Sequence, residues 1–392
     1  MFYGYCAITT GILTSYRKFL APALAPIANN IIVIVVLLGV YIPLKDSRPD
    51  IAIVALAVGT TLAVVALFVF QLPSLFKLGF RFHWRLDLGD PSLRKLARKT
   101  GPIIVFVIVN LVGVSFRNAF ALQTDVGGPA ALSYAWNWYQ LPYGVLAVAY
   151  FTALFPELSE MADRKDWLDY KSAFSRGLRV MSLLILPMAA MLVALAVPLV
   201  SLYRAGAFSA ASVPQVALIL QIWAVGLLAF SSYMLTLRAF YSMQDSVTPM
   251  YTNFVATVVQ IVLYWFFTGP ARLGLAGIPL AEAIYLTIHW TMLLVILRRR
   301  VGSFGGRHIL WTYVRVTLAS VAGGAAAYGV SVLATRIGPH ALSAIVQILL
   351  GGAVGLLVAY GAAALMRVDE IADARRMLDR FVGRLRTPGA VA

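Results

Sequence analysis

The chain has 392 residues, of which 61% are hydrophobic and 12% are charged, with a mean hydropathy of +0.84. Soluble proteins carry roughly 25% charged residues, so this composition excludes a soluble globular domain and indicates a membrane protein. The single cysteine, Cys6, excludes an intramolecular disulfide and a multi-cysteine metal site. The histidines lie in different segments without zinc-like spacing.

Apolar runs follow one another along the chain. All but the first approach the ~20 residues that an α-helix needs to cross a bilayer, and none shows the ten-residue alternation of a membrane barrel. The predicted fold class is therefore an all-α polytopic membrane protein. The predicted segments are 1–13, 22–42, 51–72, 102–122, 131–156, 178–203, 214–240, 249–268, 274–297, 310–334 and 342–366.

Lysine and arginine are distributed unevenly between alternate loops. Cytoplasmic loops carry an excess of these residues, so the distribution predicts a multi-pass protein of the inner (cytoplasmic) membrane with a cytoplasmic C-terminus. The net charge of +16 therefore reports topology, and no nucleic-acid partner is predicted. The basic residues of the poorer loops are Lys45, Arg48, Arg204, Arg272 and Arg336.

The first apolar segment, 1–13, is too short to span. It would form a helix of ~20 Å, against a hydrocarbon core of ~30 Å. Neither a preceding basic region nor a cleavage site is present, so it is not a signal peptide. We expect that Met1 lies inside a helix of a longer ancestor, through truncation or a misassigned start.

Two basic segments are amphipathic, Phe76–Lys99 and Val368–Leu385. Apolar side chains recur in both with basic residues between them, which is typical of helices that lie at a membrane surface. Ordinary positive-inside anchoring and specific lipid-headgroup binding both remain open for these segments.

The segment 131–156 combines a span-length apolar run with a polar face. Polar or small residues recur at helical spacing and fall on one side, and Pro142 predicts a kink among them. An unpaired polar group in hydrocarbon costs several kcal/mol, so this face is expected to line either a helix–helix contact or a transport cavity. The positions are Ser133, Asn137, Gln140 and Gly144.

Ionisable residues are almost confined to loops and segment ends. Glu282 and Arg117 alone lie well inside predicted spans, and such residues are functional-site candidates by default. Arg117 lies ~9 Å before the outer end of its segment at 1.5 Å per residue, and two other segments place polar groups at similar depth. The predicted substrate-binding residues, in the outer half of one cavity, are Arg117, Asn118, Tyr134, Asn137, Gln140 and Glu282.

The chemistry of these residues leaves alternatives. Arginine matches phosphate oxygens in a bidentate way, so Arg117 suits a lipid pyrophosphate, but it would also suit an interfacial position paired with Asp125 or water. Glu282 is either a structural partner for an arginine or a proton relay. His289 on the same helix is expected to make an interhelical hydrogen bond.

The remaining motifs are structural. Arg238 and Asp245 flank a turn before Pro249 and are expected to bond each other. The pairs Gly323–Gly324 and Gly351–Gly352 predict close helix approach in the last hairpin. The sequence shows no phosphate-binding loop with a lysine, no nucleophile elbow and no paired carboxylates, so we predict neither an enzyme nor a cofactor.

Four stretches resemble, in the same order, recurring stretches of the MurJ/MviN lipid II flippase family. The resemblance covers residues 1–366 and looks closest to the actinobacterial branch, where the LPYG form occurs. The stretches are YRKFLAPALAPIANNI (16–31), YQLPYGVLAVAYFTALFPELSEMA (139–162), LYRAGAFSAAS (202–212) and RAFYSMQDSVTP (238–249).

The resemblance implies the fold of the multidrug/oligosaccharidyl-lipid/polysaccharide exporter superfamily. Two six-helix lobes would enclose a cavity, and two extra helices would form a groove for a polyprenyl tail; here the first three to four helices would be missing. The fold expected is a two-lobed helix bundle with an incomplete first lobe plus two extra C-terminal helices. The implied division is 1–76 (first-lobe remnant), 77–100 (basic amphipathic cytoplasmic linker), 101–300 (second lobe), 301–368 (extra pair) and 369–392 (basic cytoplasmic tail).

The sequence departs from the family at the expected cavity. Asn137 stands where the family has an arginine before LPYG, and Gln140 stands where it has an acidic residue. Arg117, one helix earlier, is expected to compensate. Family members that bind sodium use acidic residues of the second lobe, and since only Glu282 is available here, sodium coupling is not predicted.

The function that the resemblance implies is that of a lipid II flippase, which moves a polyprenyl-pyrophosphate-linked peptidoglycan precursor across the membrane by alternating access. The partners predicted are lipid II or a similar lipid, the membrane, and cell-wall synthesis proteins. Two alternatives stay open: another exporter of the superfamily, for polysaccharide lipids or drugs, and an inactive or scaffolding membrane protein in envelope synthesis.

Overall fold

The computed structural model describes residues 2–16, 18–80, 91–204, 208–335 and 340–371. Every regular element of this described part is a helix. The residues form two compact units that meet in the sequence at Asp90–Pro91. The all-α class predicted from composition and periodicity is thereby confirmed.

The spans predicted from hydropathy are recovered as helices. Nine helices of the described residues are long and apolar enough to cross a membrane, and one bent pair provides a tenth candidate span. The first predicted segment is a helix of 14 residues, Phe2–Ser15, which is shorter than a span.

The described residues of the first unit form five α-helices. The second of them continues without a break through a π-helical turn, Leu37–Tyr41, into the third. The helices are α1 (Phe2–Ser15), α2 (Leu20–Val36), α3 (Ile42–Leu44), α4 (Pro49–Val69) and α5 (Leu72–Phe76).

A polar cluster around Gln71 joins the end of α4 to α1. Gln71 is fully buried; its Nε2 donates to the Cys6 sulfur at 3.0 Å, and its Oε1 accepts from the hydroxyls of Thr9 and Thr10 at 3.2 and 3.0 Å. A buried amide stabilises a helix contact when its donor and acceptor both have partners. Cys6 therefore packs inside the unit.

In the second unit, the part that the structure describes forms eleven α-helices. Its core holds large buried aromatic side chains, among them Tyr139, Trp223 and Tyr264. The helices are α6 (Pro91–Thr124), α7 (Gly128–Pro142), α8 (Val148–Asp163), α9 (Trp167–Ala194), α10 (Ala196–Ser201), α11 (Val213–Val225), α12 (Leu227–Ser242), α13 (Val247–Thr268), α14 (Gly277–Val301), α15 (Gly306–Ala334) and α16 (His340–Leu365).

Both predicted surface segments lie partly outside the described residues. Of the segment Phe76–Lys99, residues 81–90 are not described, and α6 begins at Pro91 and runs unbroken into the first span of the second unit. Residues 372–392 of the C-terminal segment are likewise outside the described part.

Two irregularities interrupt the long helices of the second unit. The predicted kink at Pro142 takes the form of a π-helical turn, Tyr143–Ala147, between α7 and α8. The predicted single span 214–240 is instead two helices, α11 and α12, bent by 48° at Gly226. A side chain at Gly226 would lie 2.9 Å from the Cβ of Ala283 on α14, so glycine permits the bend and the close contact together.

The last two helices pack through small residues, as their glycine pairs predict. A Cβ atom built on Gly323 of α15 would lie 2.6 Å from the Cβ of Ala359 on α16, and one built on Gly351 would lie 3.1 Å from the Ala327 carbonyl oxygen. Close backbone approach replaces hydrophobic driving force in such helix pairs. After α16, Glu370 forms a buried ion pair with Arg179 of α9.

We expect Gly323→Val to lower the free energy of unfolding by about 2 to 3 kcal/mol, because the added methyl groups would push α15 away from α16. Gly329 lies on the same helix with no other atom within 4 Å of its built Cβ, so Gly329→Val is the matched control. Thermal unfolding of the purified protein in detergent measures both. Equal unfolding temperatures for the two variants would contradict the packing contact.

The turn before α13 is held by Asp245 rather than by a bond between Arg238 and Asp245. Asp245 accepts from the backbone N–H groups of Val247 and Thr248, both at 2.9 Å, and pairs with Arg300 of α14. Arg238 instead lies over the ring of Phe151, 4.8 Å from its centre. The predicted pair is therefore wrong, because each arginine meets a different neighbour in the packed bundle.

Asp245 gives the protein a pH-dependent contact. Burial raises the pKa of its carboxyl, but the hydrogen bonds from Thr248 and Arg300 lower it by more, so the pKa is below its usual range. A carboxyl with a lower pKa in the folded than in the unfolded state stabilises the fold above the unfolded pKa of ~3.9, and this contribution is lost as the pH falls through the folded pKa.

Asp245→Asn is expected to lower the free energy of unfolding by about 1 kcal/mol at pH 7, because the charged cap and the Arg300 pair are weakened. The difference from the unchanged protein should shrink below about pH 4. Thermal unfolding of the variant and of the unchanged protein at pH 7 and pH 3 measures this difference in stability. Asp46→Asn, at a carboxylate that is 88% exposed, should have no such effect; a similar loss there would contradict the role of the turn.

Candidate functional site

A cavity of about 460 Å³ opens among the helices of the second unit. Helices α6, α7, α12, α13 and α14 and the π-helical turn contribute to its wall. The polar lining residues are Asn110, Arg117, Gln140, Asn253, Gln260 and Glu282. The aromatic lining residues are Phe106, Trp136, Tyr143, Phe230, Tyr233 and Tyr285.

Arg117 brings a cation to this wall from the last two turns of α6. Its Nη1 lies 3.7 Å from Oε1 of Glu282, and its guanidinium lies 5.8 Å from the centre of the Trp136 ring. The Arg117 side chain is 20% exposed and that of Glu282 is 7% exposed. Opposite charges at this separation in a low-dielectric setting stabilise each other, and the aromatic ring adds a cation–π contact.

Glu282 is held in place by two hydrogen bonds from neighbouring helices. Trp223 of α11 donates its Nε1–H to Oε2 at 2.7 Å, and the Tyr264 hydroxyl of α13 donates to Oε1 at 2.7 Å. Gln260 in turn donates to the Tyr264 oxygen at 2.7 Å. Each carboxylate oxygen therefore has a neutral donor, and the whole group is oriented toward Arg117. Glu282 is therefore a structural partner for an arginine, which was one of the two roles expected for it from the sequence.

The contact between Arg117 and Glu282 leaves one nitrogen of the guanidinium without a partner among the described residues. The 3.7 Å separation from Glu282 is longer than a hydrogen bond, and its Nε is buried without a hydrogen-bond partner in the described part of the chain. The guanidinium is thus charge-compensated by Glu282 while it lines the cavity. Its planar arrangement of N–H donors matches the oxygens of an anionic group such as a phosphate.

The alternative that Arg117 pairs with Asp125 is not what the structure shows. Asp125 lies in the turn after α6 and accepts from the Gln215 side chain at 2.9 Å and from the Gly127 backbone N–H at 2.8 Å. The hydrogen bond from Gln215, and to a smaller extent the one from Gly127, holds the pKa of the Asp125 carboxyl below its usual range. Arg117 instead turns toward Glu282.

The predicted site residues divide into two groups. Arg117, Gln140 and Glu282 line the cavity together. Asn118 is exposed and is not part of the cavity wall.

Tyr134 and Asn137 likewise lie outside the wall. Tyr134 packs against Tyr203 and Phe208 at ring-centre distances of 5.0 Å, and the side chain of Asn137 bonds the Tyr203 hydroxyl. The two residues therefore belong to an aromatic cluster next to α10, which their position on α7 did not reveal.

Other lining residues were not anticipated. Asn253 and Gln260 lie two turns apart on one face of α13, and this polar spacing within an apolar run was a signal that the sequence contained. Tyr233, Tyr143 and Tyr285 carried no such signal, because an aromatic residue in a span is equally suited to the core or to a wall. Trp136 also lines the cavity, whereas Tyr139 on the same helix is buried in the core.

His289 makes the interhelical contact that was expected. Its Nε2 lies 3.2 Å from the Thr252 hydroxyl of α13, and its ring lies 4.5 Å from that of Tyr233. The side chain is buried. Among the described residues, no group of three or more histidine, cysteine, aspartate or glutamate side chains is arranged to hold a metal ion.

The bundle and its polar cavity define a class: an all-α, multi-pass membrane protein with the exporter fold. A solved structure of a lipid II flippase MurJ in an inward closed conformation superposes with a TM-score of 0.71 at 22% identity, over 94% of this chain and 72% of the other. An inward-facing multidrug MATE transporter of the MOP superfamily superposes with a TM-score of 0.64 at 17% identity, over 77% and 69% of the two chains.

The particular family follows from sequence comparison. The family model described as lipid II flippase MurJ matches residues 1–347, so the chain belongs to the MurJ family, and the resemblance noted in the sequence is confirmed. A probable lipid II flippase MurJ of Vibrio cholerae serotype O1 is 27% identical over 340 residues, 85% of this chain and 63% of the relative. The chain spans about three fifths of the length of the curated relatives it matches.

Proposed function

We propose that this protein moves a polyprenyl-pyrophosphate lipid such as lipid II across the cytoplasmic membrane, with its C-terminus on the cytoplasmic side. The observation that carries the proposal is Arg117, which lines the cavity with its charge compensated by Glu282. Membership of a family described as lipid II flippases supports the choice of lipid.

The roles of the cavity residues follow from their chemistry. The Arg117 guanidinium would bind pyrophosphate oxygens in a bidentate way, and Gln140 would donate to phosphate or sugar oxygens. Glu282 would hold Arg117 in place, so that the arginine does not have to be ordered when the ligand arrives. Alternating access would expose this site to the two sides of the membrane in turn.

A reconstituted transport assay tests the proposal with matched lipids. The full chain is placed in vesicles that contain either lipid II or an analogue in which a neutral linker replaces the pyrophosphate, and the appearance of each headgroup on the opposite face is followed over time. We expect protein-dependent movement of lipid II and little movement of the neutral analogue, because Arg117 gives the neutral compound no ion pair.

Two variants of α6 control the assay. Asn110→Trp would fill the cavity and should slow lipid II movement, whereas Ser115→Trp, at an exposed position of the same helix outside the wall, should not. Equal movement in both variants, or equal movement of the charged and neutral lipids, would contradict transport through this cavity. Absence of lipid II movement in the unchanged protein would favour the scaffolding alternative.

A further inference from the structure

A second cavity, of about 550 Å³, lies at one end of the hairpin formed by α15 and α16. Its wall is built from the first turns of α15 and from the residues just after α16. It shares no lining residue with the cavity around Arg117. Both helices are candidate membrane spans, so this cavity lies where a span ends and lipid headgroups begin.

The wall of this cavity is basic. Arg307, Trp311 and Arg315 follow one another at four-residue steps, so they share one face of α15 over ~12 Å of its axis. His308 adjoins them, and Asp369 is the one carboxylate among the lining residues that the structure describes. Neither arginine forms an ion pair with a described residue, and Asp369 offsets only one of the two positive charges in the lining.

The start of α15 adds further donors for an anion. The helix begins at Gly306, with no side-chain hydrogen bond at its cap and no acidic residue in its first turn. The N–H groups of His308 and Ile309 bond the Gly305 carbonyl oxygen, so the first-turn donors without a helical partner are those of Gly306 and Arg307, and such donors favour a negative charge. They point toward the same end of the hairpin as the two arginines.

The surface beyond the basic wall is apolar. Val314, Leu318 and Val321 are exposed on α15 at 41%, 56% and 62%. Trp311, between the two arginines, is 54% exposed, and tryptophan favours the boundary between hydrocarbon and headgroups. A ligand with a phosphate head and acyl chains would therefore match both parts of this surface.

We propose that the basic cavity at the start of α15 binds the phosphate of an anionic phospholipid, with the acyl chains lying along the exposed apolar residues of the same helix. Arg307 and Arg315 provide the charge complementarity, and Trp311 fixes the depth of the headgroup. This site is separate from the transport cavity, and the inference does not depend on the proposed transport of lipid II.

Native mass spectrometry of the full chain in a neutral detergent tests the proposal. Phosphatidylglycerol and phosphatidylcholine are titrated separately, and the bound lipids are counted. We expect phosphatidylglycerol to bind more tightly than phosphatidylcholine. The double variant R307Q/R315Q should weaken phosphatidylglycerol binding by at least about tenfold, since each basic residue near a membrane surface contributes substantially to the attraction of anionic lipid.

The double variant R298Q/R299Q is the matched control. It removes the same number of charges from exposed arginines in the last turn of α14, and phosphatidylglycerol binding should change less than twofold. Equal weakening by both double variants would overturn the proposal, as would equal binding of the two lipids. Displacement of the lipid by millimolar inorganic phosphate would assign the cavity to a soluble anion. Binding of an acidic peptide in place of the lipid would assign it to a protein. Either result would overturn the lipid assignment.

Discussion

Replacement of Arg117 by alanine is expected to weaken binding of lipid II by about 30-fold or more and to reduce its transport accordingly. The physical reason is the loss of charge-assisted hydrogen bonds to the pyrophosphate, which contribute about 1.5 to 3 kcal/mol each. The affinity of Arg117→Lys for lipid II should lie between those of the alanine variant and the unchanged protein, because an ammonium keeps the charge but lacks the planar arrangement of donors. Binding by titration in detergent and transport in vesicles measure the two effects.

The control for this prediction separates binding from folding. Arg204→Ala removes an exposed arginine that lies outside the cavity wall and should leave binding unchanged. Because Arg117→Ala also leaves Glu282 without its cation, the double variant R117A/E282Q should fold better than R117A while binding lipid II no better. Full binding by R117A would remove Arg117 from the proposed mechanism.

Replacement of Glu282 by alanine is expected to lower the free energy of unfolding by about 3 kcal/mol. The change leaves Arg117 without its counter-charge and leaves the buried donors of Trp223 and Tyr264 unpaired, and the removal of one partner from a buried ion pair is strongly destabilising. Thermal unfolding in detergent measures the loss.

Glu160→Ala is the matched control for Glu282→Ala. Glu160 also pairs with an arginine, Arg164, at 2.5 Å, but both side chains are more than 60% exposed, and exposed pairs contribute about 0 to 1 kcal/mol. The double variant R117L/E282L should be less destabilised than the sum of the single variants, because it removes both charges together. Strict additivity would contradict a direct coupling between Arg117 and Glu282.

Glu160 and Glu282 differ in burial, and burial determines how firmly each can hold an arginine. Glu160 lies on the surface of α8, where water screens its charge. Glu282 lies among α11, α13 and α14, where two hydrogen bonds replace the water that it lost. Only the buried carboxylate is therefore able to orient an arginine in a cavity.

The predicted spans and their order were accessible from the residues alone. Each apolar run of about 20 residues must form a helix in a bilayer, because an unpaired backbone polar group has no water to bond there. The same reasoning identified Arg117 and Glu282 as candidate site residues, since an ionisable residue within such a run is tolerated only where it has a partner or a function. The glycine pairs of α15 and α16 indicated a close contact for a similarly local reason.

The tertiary structure alone decided which faces meet. Spacing along α7 placed Asn137 and Gln140 on one polar face, but in the packed bundle Asn137 bonds Tyr203 and Gln140 lines the cavity. Likewise, Arg300 rather than Arg238 reaches Asp245, and Glu282 rather than Asp125 reaches Arg117. A sequence defines how deep a side chain lies and on which face of its own helix it stands, whereas the neighbour that this face meets depends on how all the helices pack together.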